Sequence, residues 1–92
     1  MAVAVIQTFE ATIDEYDAVN EKLDPTNNPP QGLIIHTGGE TGGKIKVVDV
    51  WESEAAFQSF RESRLGPAVV EVAPDAAPPE VEIYELHDVV KP

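Results

Sequence analysis

The amino-acid sequence predicts an α+β fold of four strands and two helices in the order β-α-β-β-α-β. Three observations carry that expectation. Two segments place apolar residues at three- to four-residue spacing behind a capping residue. Four short runs are rich in β-branched and aromatic residues. The connections between them are dense in glycine and proline.

Val3 to Phe9 is the first strand. Thr12-Ile13-Asp14-Glu15 then spells a capping box, in which Thr12 caps the helix and Glu15 reaches back to its amide. Ile13, Tyr16, Val19 or Asn20, and Leu23 form the apolar stripe of this first helix. Asp14, Glu15, Asp17 and Glu21 form its outer face. The helix must stop before Pro25, because the residue ahead of a proline avoids helical geometry. Residues 24–30, DPTNNPP, make a stiff loop. Residues 32–37, GLIIHT, form the second strand, 38–43, GGETGG, the turn, and Lys44 to Trp51 the third strand. The two strands are a hairpin whose loop is longer than the tightest kind. Ser53 caps the second helix, with Glu54 near its positive end and Ala56, Phe57 and Phe60 on its buried stripe. Gly66 is expected to end it at a C′ position, with Pro67 opening a short continuation over 68–73. Residues 74–79, PDAAPP, are a second stiff connection, and Val81 to Val90 is the last strand. The order is the ferredoxin-like, split-βαβ arrangement: a four-stranded antiparallel sheet with two helices on one face. Residues 1–92 are expected to form a single domain.

Composition narrows the chemistry. Lys and Arg total 6 and Asp and Glu 17, for a formal net charge of −11. Phosphate binding needs clustered cations, so nucleic acid and anionic membrane are not expected partners. The hydrophobic share of 42% is too high for a disordered acidic tail. With no cysteine there is no disulfide framework, thiolate nucleophile or thiolate metal site. The apolar N-terminus lacks the positive flank of a signal peptide, and no apolar run approaches the ~20 residues that span a bilayer. A cytoplasmic protein is the expectation. The two glycine pairs precede a strand and not a helix, which is the wrong context for a phosphate loop. The two histidines lack helical metal-site spacing, and neither a metal nor a cofactor is expected.

The strands do not alternate cleanly between apolar and polar. Leu33, Ile34 and Ile35 are consecutive, as are Val3, Ala4, Val5 and Ile6, and strand three has Val47, Val48, Val50 and Trp51. Consecutive strand residues point to opposite faces, so both faces of the sheet carry apolar side chains. Helices on one side leave the other bare, and a second copy of the chain is the economical cover.

Three stretches of the chain resemble the dimeric α/β-barrel superfamily, in particular small bacterial proteins of the antibiotic-biosynthesis-monooxygenase type. They are Gly32-Leu33-Ile34-Ile35-His36 with its glycine-rich turn, Val48-Asp49-Val50-Trp51-Glu52-Ser53 running into Glu54-Ala55-Ala56-Phe57 and Phe60-Arg61, and Arg64-Leu65-Gly66-Pro67-Ala68. The resemblance implies a homodimer whose sheets face each other, with a cavity on each protomer between sheet and helices or within the barrel. It implies that a tryptophan at the end of strand three borders that cavity, the position of Trp51. The superfamily includes cofactor-free monooxygenases, haem-degrading enzymes, isomerases and proteins with no known reaction. Its haem-degrading branch presents a histidine from the second helix, and this second helix has none. Its monooxygenases use an amide near the substrate; Gln7 is the one amide on strand one, and Asp49 stands where strand three would offer another.

The expected catalytic residues are His36, Asp49 and Trp51. Substrate is expected to lie against Trp51, Tyr84, Val47 and Ile34. Imidazole takes and gives a proton near neutral pH. His36 is thus either a general base that deprotonates a phenolic or enolic substrate, leaving an anion reactive towards oxygen, or a histidine satisfied within a half-buried strand. If Thr37 pairs with Lys44, His36 shares the face of Asp49 and Trp51; a one-residue slip reverses it. His87, near the end of strand four, has the same two readings. Asp49, inside an apolar strand, needs a partner from Lys46, Arg61 or His36, for a structural ion pair or for catalysis. Trp51 closes a core, contacts a ligand, or does both. Arg61 and Arg64 are expected in ion pairs with nearby acids. Two functions remain in view: a cofactor-independent monooxygenase acting on a small aromatic or enolic compound, and a non-catalytic dimeric protein that binds a small apolar ligand or answers stress.

Overall fold

The structure is a computed structural model that describes all residues, Met1–Pro92. Strands β1 (Val3–Phe9), β2 (Leu33–Thr41), β3 (Lys44–Trp51) and β4 (Glu80–Glu85) form an antiparallel sheet in the order β2-β3-β1-β4. Helices α1 (Ile13–Leu23), α2 (Glu54–Phe60) and α3 (Gly66–Val72) lie on one face. This is the expected ferredoxin-like arrangement.

The local signals act as their chemistry requires. Thr12 Oγ1 accepts from the Glu15 amide at 3.1 Å, and Glu15 Oε1 accepts from the Thr12 amide at 3.0 Å, which closes the capping box. Asp24 ends α1 in the left-handed region, φ 47°, directly before Pro25. Ser53 Oγ accepts from the Ala56 amide at 3.1 Å and starts α2.

Four expectations are corrected. The β2–β3 turn is the two-residue Gly42-Gly43, with φ of 58° and 77°, and Gly38 to Thr41 belong to β2. Positive φ at both turn positions is what the tightest right-twisting hairpin needs, and only glycine adopts it freely. Thr41 therefore pairs with Lys44, and His36 faces Asp49 instead of Ile45. Gly66 does not terminate the second helix: its φ of −56° and ψ of −51° are helical. A π-helical turn, Arg61–Leu65, joins α2 to α3 without a break, and the Gly66 amide donates to the Arg61 carbonyl. Pro67 has no amide to donate and would crowd the carbonyl four residues earlier, so the wider turn accommodates it. Strand β4 ends at Glu85, not Val90: Glu85 pairs with Val3, the Leu86 amide makes one more bond to the Ala2 carbonyl at 2.9 Å, and the chain ahead of Ala2 is too short to pair with the rest. A β-bulge between Leu33 and Ile35 breaks the alternation of β2. It keeps Leu33 and His36 on the helix-covered face and leaves Ile34 and Ile35 39% and 53% exposed.

The core sits between helices and sheet. Val3, Val5, Trp51 and Phe57 are its centre, with Leu33, Phe60 and Ile83 packed around them. Trp51 meets Phe57 edge-on at 5.7 Å between centroids and Phe60 at 5.3 Å. The opposite face has no helix. By the register, Ala4 and Ile6 of β1, Val48 and Val50 of β3, Ile35 of β2 and Tyr84 of β4 share it.

Candidate functional site

A cavity of about 100 Å³ lies between the sheet, α1 and α3. Its floor is the helix-facing row of β1 and β3, including Gln7, Val47, Asp49 and Trp51. Tyr16 and Leu23 of α1 and Val69 of α3 close it from above.

One chain of polar groups crosses this apolar space. Asp49 is 4% exposed. Its Oδ1 accepts from His36 Nδ1 at 2.8 Å and, at a longer 3.4 Å, from the Thr37 amide; its Oδ2 accepts from Trp51 Nε1 at 3.3 Å. The carboxylate has only acceptors, so His36 carries its ring proton on Nδ1 and leaves the Nε2 lone pair free to accept. The Tyr16 hydroxyl donates to that atom at 2.8 Å. Carboxylate, imidazole and phenol thus stand in series, each oriented by the one behind it.

Each member is placed by a different element. The register puts His36 opposite Asp49 on neighbouring strands. Tyr16 descends from the inward stripe of α1 and stacks near-parallel to the His36 ring, 6.3 Å between centroids. The Tyr16 hydroxyl lies against the backbone of Gly38, where a Cβ would collide with the phenol oxygen. Gly38 is therefore the close approach that lets the phenol reach His36. Burial, then the Asp49 and Asp17 carboxylates, push the Tyr16 phenol above its ordinary value of 10.0. Tyr16 is accordingly a neutral donor and not a phenolate. The sign for stability follows. Between the unfolded value near 10 and the higher folded value, the folded state holds the extra proton, so stability falls as pH rises through that window. Urea midpoints are expected to drop more steeply above pH 10 in the native chain than in Tyr16→Phe; equal slopes would refute the burial account.

The structure brings His36, Asp49, Trp51 and Val47 together on the cavity. It places Ile34 and Tyr84 elsewhere. The β2 bulge turns Ile34 out, and Tyr84, paired with Ala4, is 48% exposed on the open sheet face. His87 lies past the end of β4 and is exposed. Of the three partners offered for Asp49, His36 is the one that bonds to it. Lys46 is on the other face of β3. Arg64 is not in an ion pair: its guanidinium donates to the Leu23 and Asn28 carbonyls at 2.7 and 3.0 Å, over the Phe60 ring, and ties the α1–β2 loop down. The sequence pattern marks Tyr16 only as part of the apolar stripe of α1. Its signal was a phenol on a buried face, which needs a hydrogen-bond partner.

The fold is shared with several solved structures. SnoaB, a cofactor-independent oxygenase from Streptomyces nogalater, aligns with a TM-score of 0.68 at 14% identity, over 97% of this chain and 96% of that one. A proposed antibiotic biosynthesis monooxygenase from Chloroflexus aurantiacus aligns with a TM-score of 0.70 at 16% identity, over 99% and 98%. NE2512, a protein of unknown function from Nitrosomonas europaea, aligns with a TM-score of 0.71 at 23% identity, over 99% and 94%. No protein-family model matches the chain, and no curated protein does. The chain thus has the ferredoxin-like architecture of the antibiotic-biosynthesis-monooxygenase-like structures.

Proposed function

We propose that the cavity is the active site of a cofactor-independent oxygenase acting on a small phenolic or enolic compound. One observation carries the reading: Asp49 holds His36 with its Nε2 lone pair facing a phenol inside an apolar cavity. The fold shared with SnoaB supports it. A substrate hydroxyl takes the place of the Tyr16 hydroxyl on Nε2 and gives up its proton to the imidazole, whose cation Asp49 stabilises. The resulting anion is electron-rich enough to reduce dioxygen directly. At an enolised CH₂, one oxygen atom enters the new carbonyl and the other leaves as water with the two hydrogens of that carbon. An apolar cavity of about 150 Å³ takes up benzene, so this one, at about 100 Å³, admits no more than a single ring, and that only once the Tyr16 hydroxyl gives way. Oxygen uptake is expected with one-ring phenols or cyclic enolisable ketones. Its absence across such a panel, and with fused-ring anthrones, would end the oxygenase reading.

A second reading has its own observation. Tyr16 already satisfies Nε2, so the polar chain is complete without a substrate. The same panel separates the two, since a binding protein retains a ring compound in native mass spectrometry and consumes no oxygen.

In either case the working unit is a homodimer joined through the open sheet face. Ile35, Val48 and Tyr84 expose 53%, 40% and 48% of their surface there, in the midst of Ala4, Ile6 and Val50. An apolar sheet face of this extent on so small a chain is covered most simply by its own copy. Sedimentation equilibrium is expected to give a dimer at micromolar concentration and a monomer for Val48→Lys. A native monomer would refute the assembly.

A further inference from the structure

We infer that helix α1 is a lid over the cavity, latched by the Tyr16–His36 hydrogen bond and pivoting at Asp24, so that a ligand reaches His36 Nε2 only when the latch opens. The inference deepens the reading of the cavity as a ligand site and does not rest on the oxygen chemistry. Helices α2 and α3 each bury a side chain, Phe57 and Ala68, whereas α1 buries none. No α1 residue belongs to the core around Trp51 and Phe57. The inward stripe of α1, Tyr16, Val19 and Leu23, lines the cavity instead. A helix laid over space gains little apolar burial from its position, and such elements open at a fraction of the cost of unfolding.

What holds α1 down is local and unevenly spread. At its C-terminal end Arg64 donates to the carbonyls of Leu23 and Asn28 at 2.7 and 3.0 Å, one on each side of Asp24. Asp24 has the left-handed backbone, φ 47°, that breaks the helix ahead of Pro25. This end is the pivot. The Lys22–Glu71 ion pair, 2.8 Å, lies beside it. Farther along, the one bond from an α1 side chain to the sheet is the Tyr16 hydroxyl on His36 Nε2, at 2.8 Å. Glu10, just ahead of the helix, pairs with Lys44 at 3.0 Å through exposed side chains, a contact that water largely screens. The capping box keeps the first turn intact, so the helix moves as one piece. Tyr16 lies about 12 Å along the helix from the pivot, and a tilt of about 15° lifts its hydroxyl about 3 Å, out of hydrogen-bond reach of Nε2.

The test needs no substrate. Native-state hydrogen exchange reads the lid. The α1 amides are expected to exchange at least about tenfold faster than those of β1 and β3, at rates that low urea leaves unchanged. Gly38→Ala keeps the phenol but wedges it away from His36. It is expected to speed α1 exchange further while β1 and β3 stay protected. Acylation by diethyl pyrocarbonate reads the latch, with the exposed His87 as a reference in the same chain. His36 is expected to react more slowly than His87 in the native protein, and about two- to tenfold faster in Tyr16→Phe than in the native protein, the weight of one hydrogen bond. Native α1 amides as slow as those of β1 and β3, with the same urea dependence, would overturn the inference. So would a native His36 that reacts as fast as His87, or a His36 rate unchanged in both variants. The expected exchange and acylation rates without any oxygen uptake in air would support the lid and remove the oxygenase reading alone.

Discussion

For the oxygenase proposed above, Asp49→Asn is expected to lower turnover by about 10²- to 10⁴-fold while the chain still folds. The reason is the direction of one proton. The native carboxylate can only accept, so it holds the His36 proton on Nδ1 and exposes the Nε2 lone pair. An asparagine amide donates to Nδ1 instead, which moves the ring proton to Nε2 and turns the base into a donor. Without the carboxylate charge, the imidazolium formed on proton uptake also loses its counter-ion. Side-chain shape is kept, so the cost to stability is limited to the imperfect pairing of one amide among the three donors around it, about 1–3 kcal/mol. Nitrogen NMR of the His36 ring is the decisive measurement alongside oxygen uptake. The protonated nitrogen is expected to be Nδ1 in the native protein and Nε2 in the variant. The same tautomer in both, or full activity in the variant, would remove Asp49 from the mechanism.

Trp51→Ala is expected to destabilise the fold by about 3–5 kcal/mol, the range for emptying a large buried aromatic site. Trp51 is 1% exposed and packs on both Phe57 and Phe60, so no neighbour can collapse into the space without losing its own contacts. Domains of this kind hold only about 5–15 kcal/mol in total, so the urea midpoint should fall by a large fraction. Trp51→Phe separates the two jobs of the indole. It keeps most of the packing and loses only the Nε1 donor to Asp49 Oδ2. It is expected to fold close to native stability, with Asp49 less firmly oriented and turnover reduced. A midpoint for Trp51→Ala within error of the native one would refute the placement of Trp51 at the centre of the core.

Much of this architecture was legible in local patterns. Thr12 to Glu15 spells a capping box, and both of its hydrogen bonds are present. Ser53 starts α2 as its side-chain oxygen requires. The apolar crowding of β1 and β3 pointed to a sheet apolar on both faces, and Val48 and Tyr84 are indeed exposed on the side without helices. The hairpin was harder, because residues 38–43 offer two glycine pairs and either can turn the chain. A six-residue turn over 38–43 pairs Thr37 with Lys44, whereas the real turn pairs Thr41 with it, a shift of four. Four is even, so His36 has the face that pairing gives it, with Asp49 and Trp51, and only the residue opposite it changes, from Ile45 to Asp49. The bulge had the contrary effect on Ile34. One unpaired residue reversed its side and took it out of the cavity.

The division is one of range. Caps, helix stripes, turn glycines and strand runs depend on residues within about four positions of each other, and the sequence by itself determined the order of elements; the face of His36, and its pairing with Asp49, were decided by the hairpin register. The Tyr16–His36 contact joins residues twenty positions apart. It exists because α1 crosses the sheet where β2 carries Gly38, whose missing Cβ leaves room for the phenol. Such juxtapositions are set by how the layers stack, and that stacking is decided by the whole core at once.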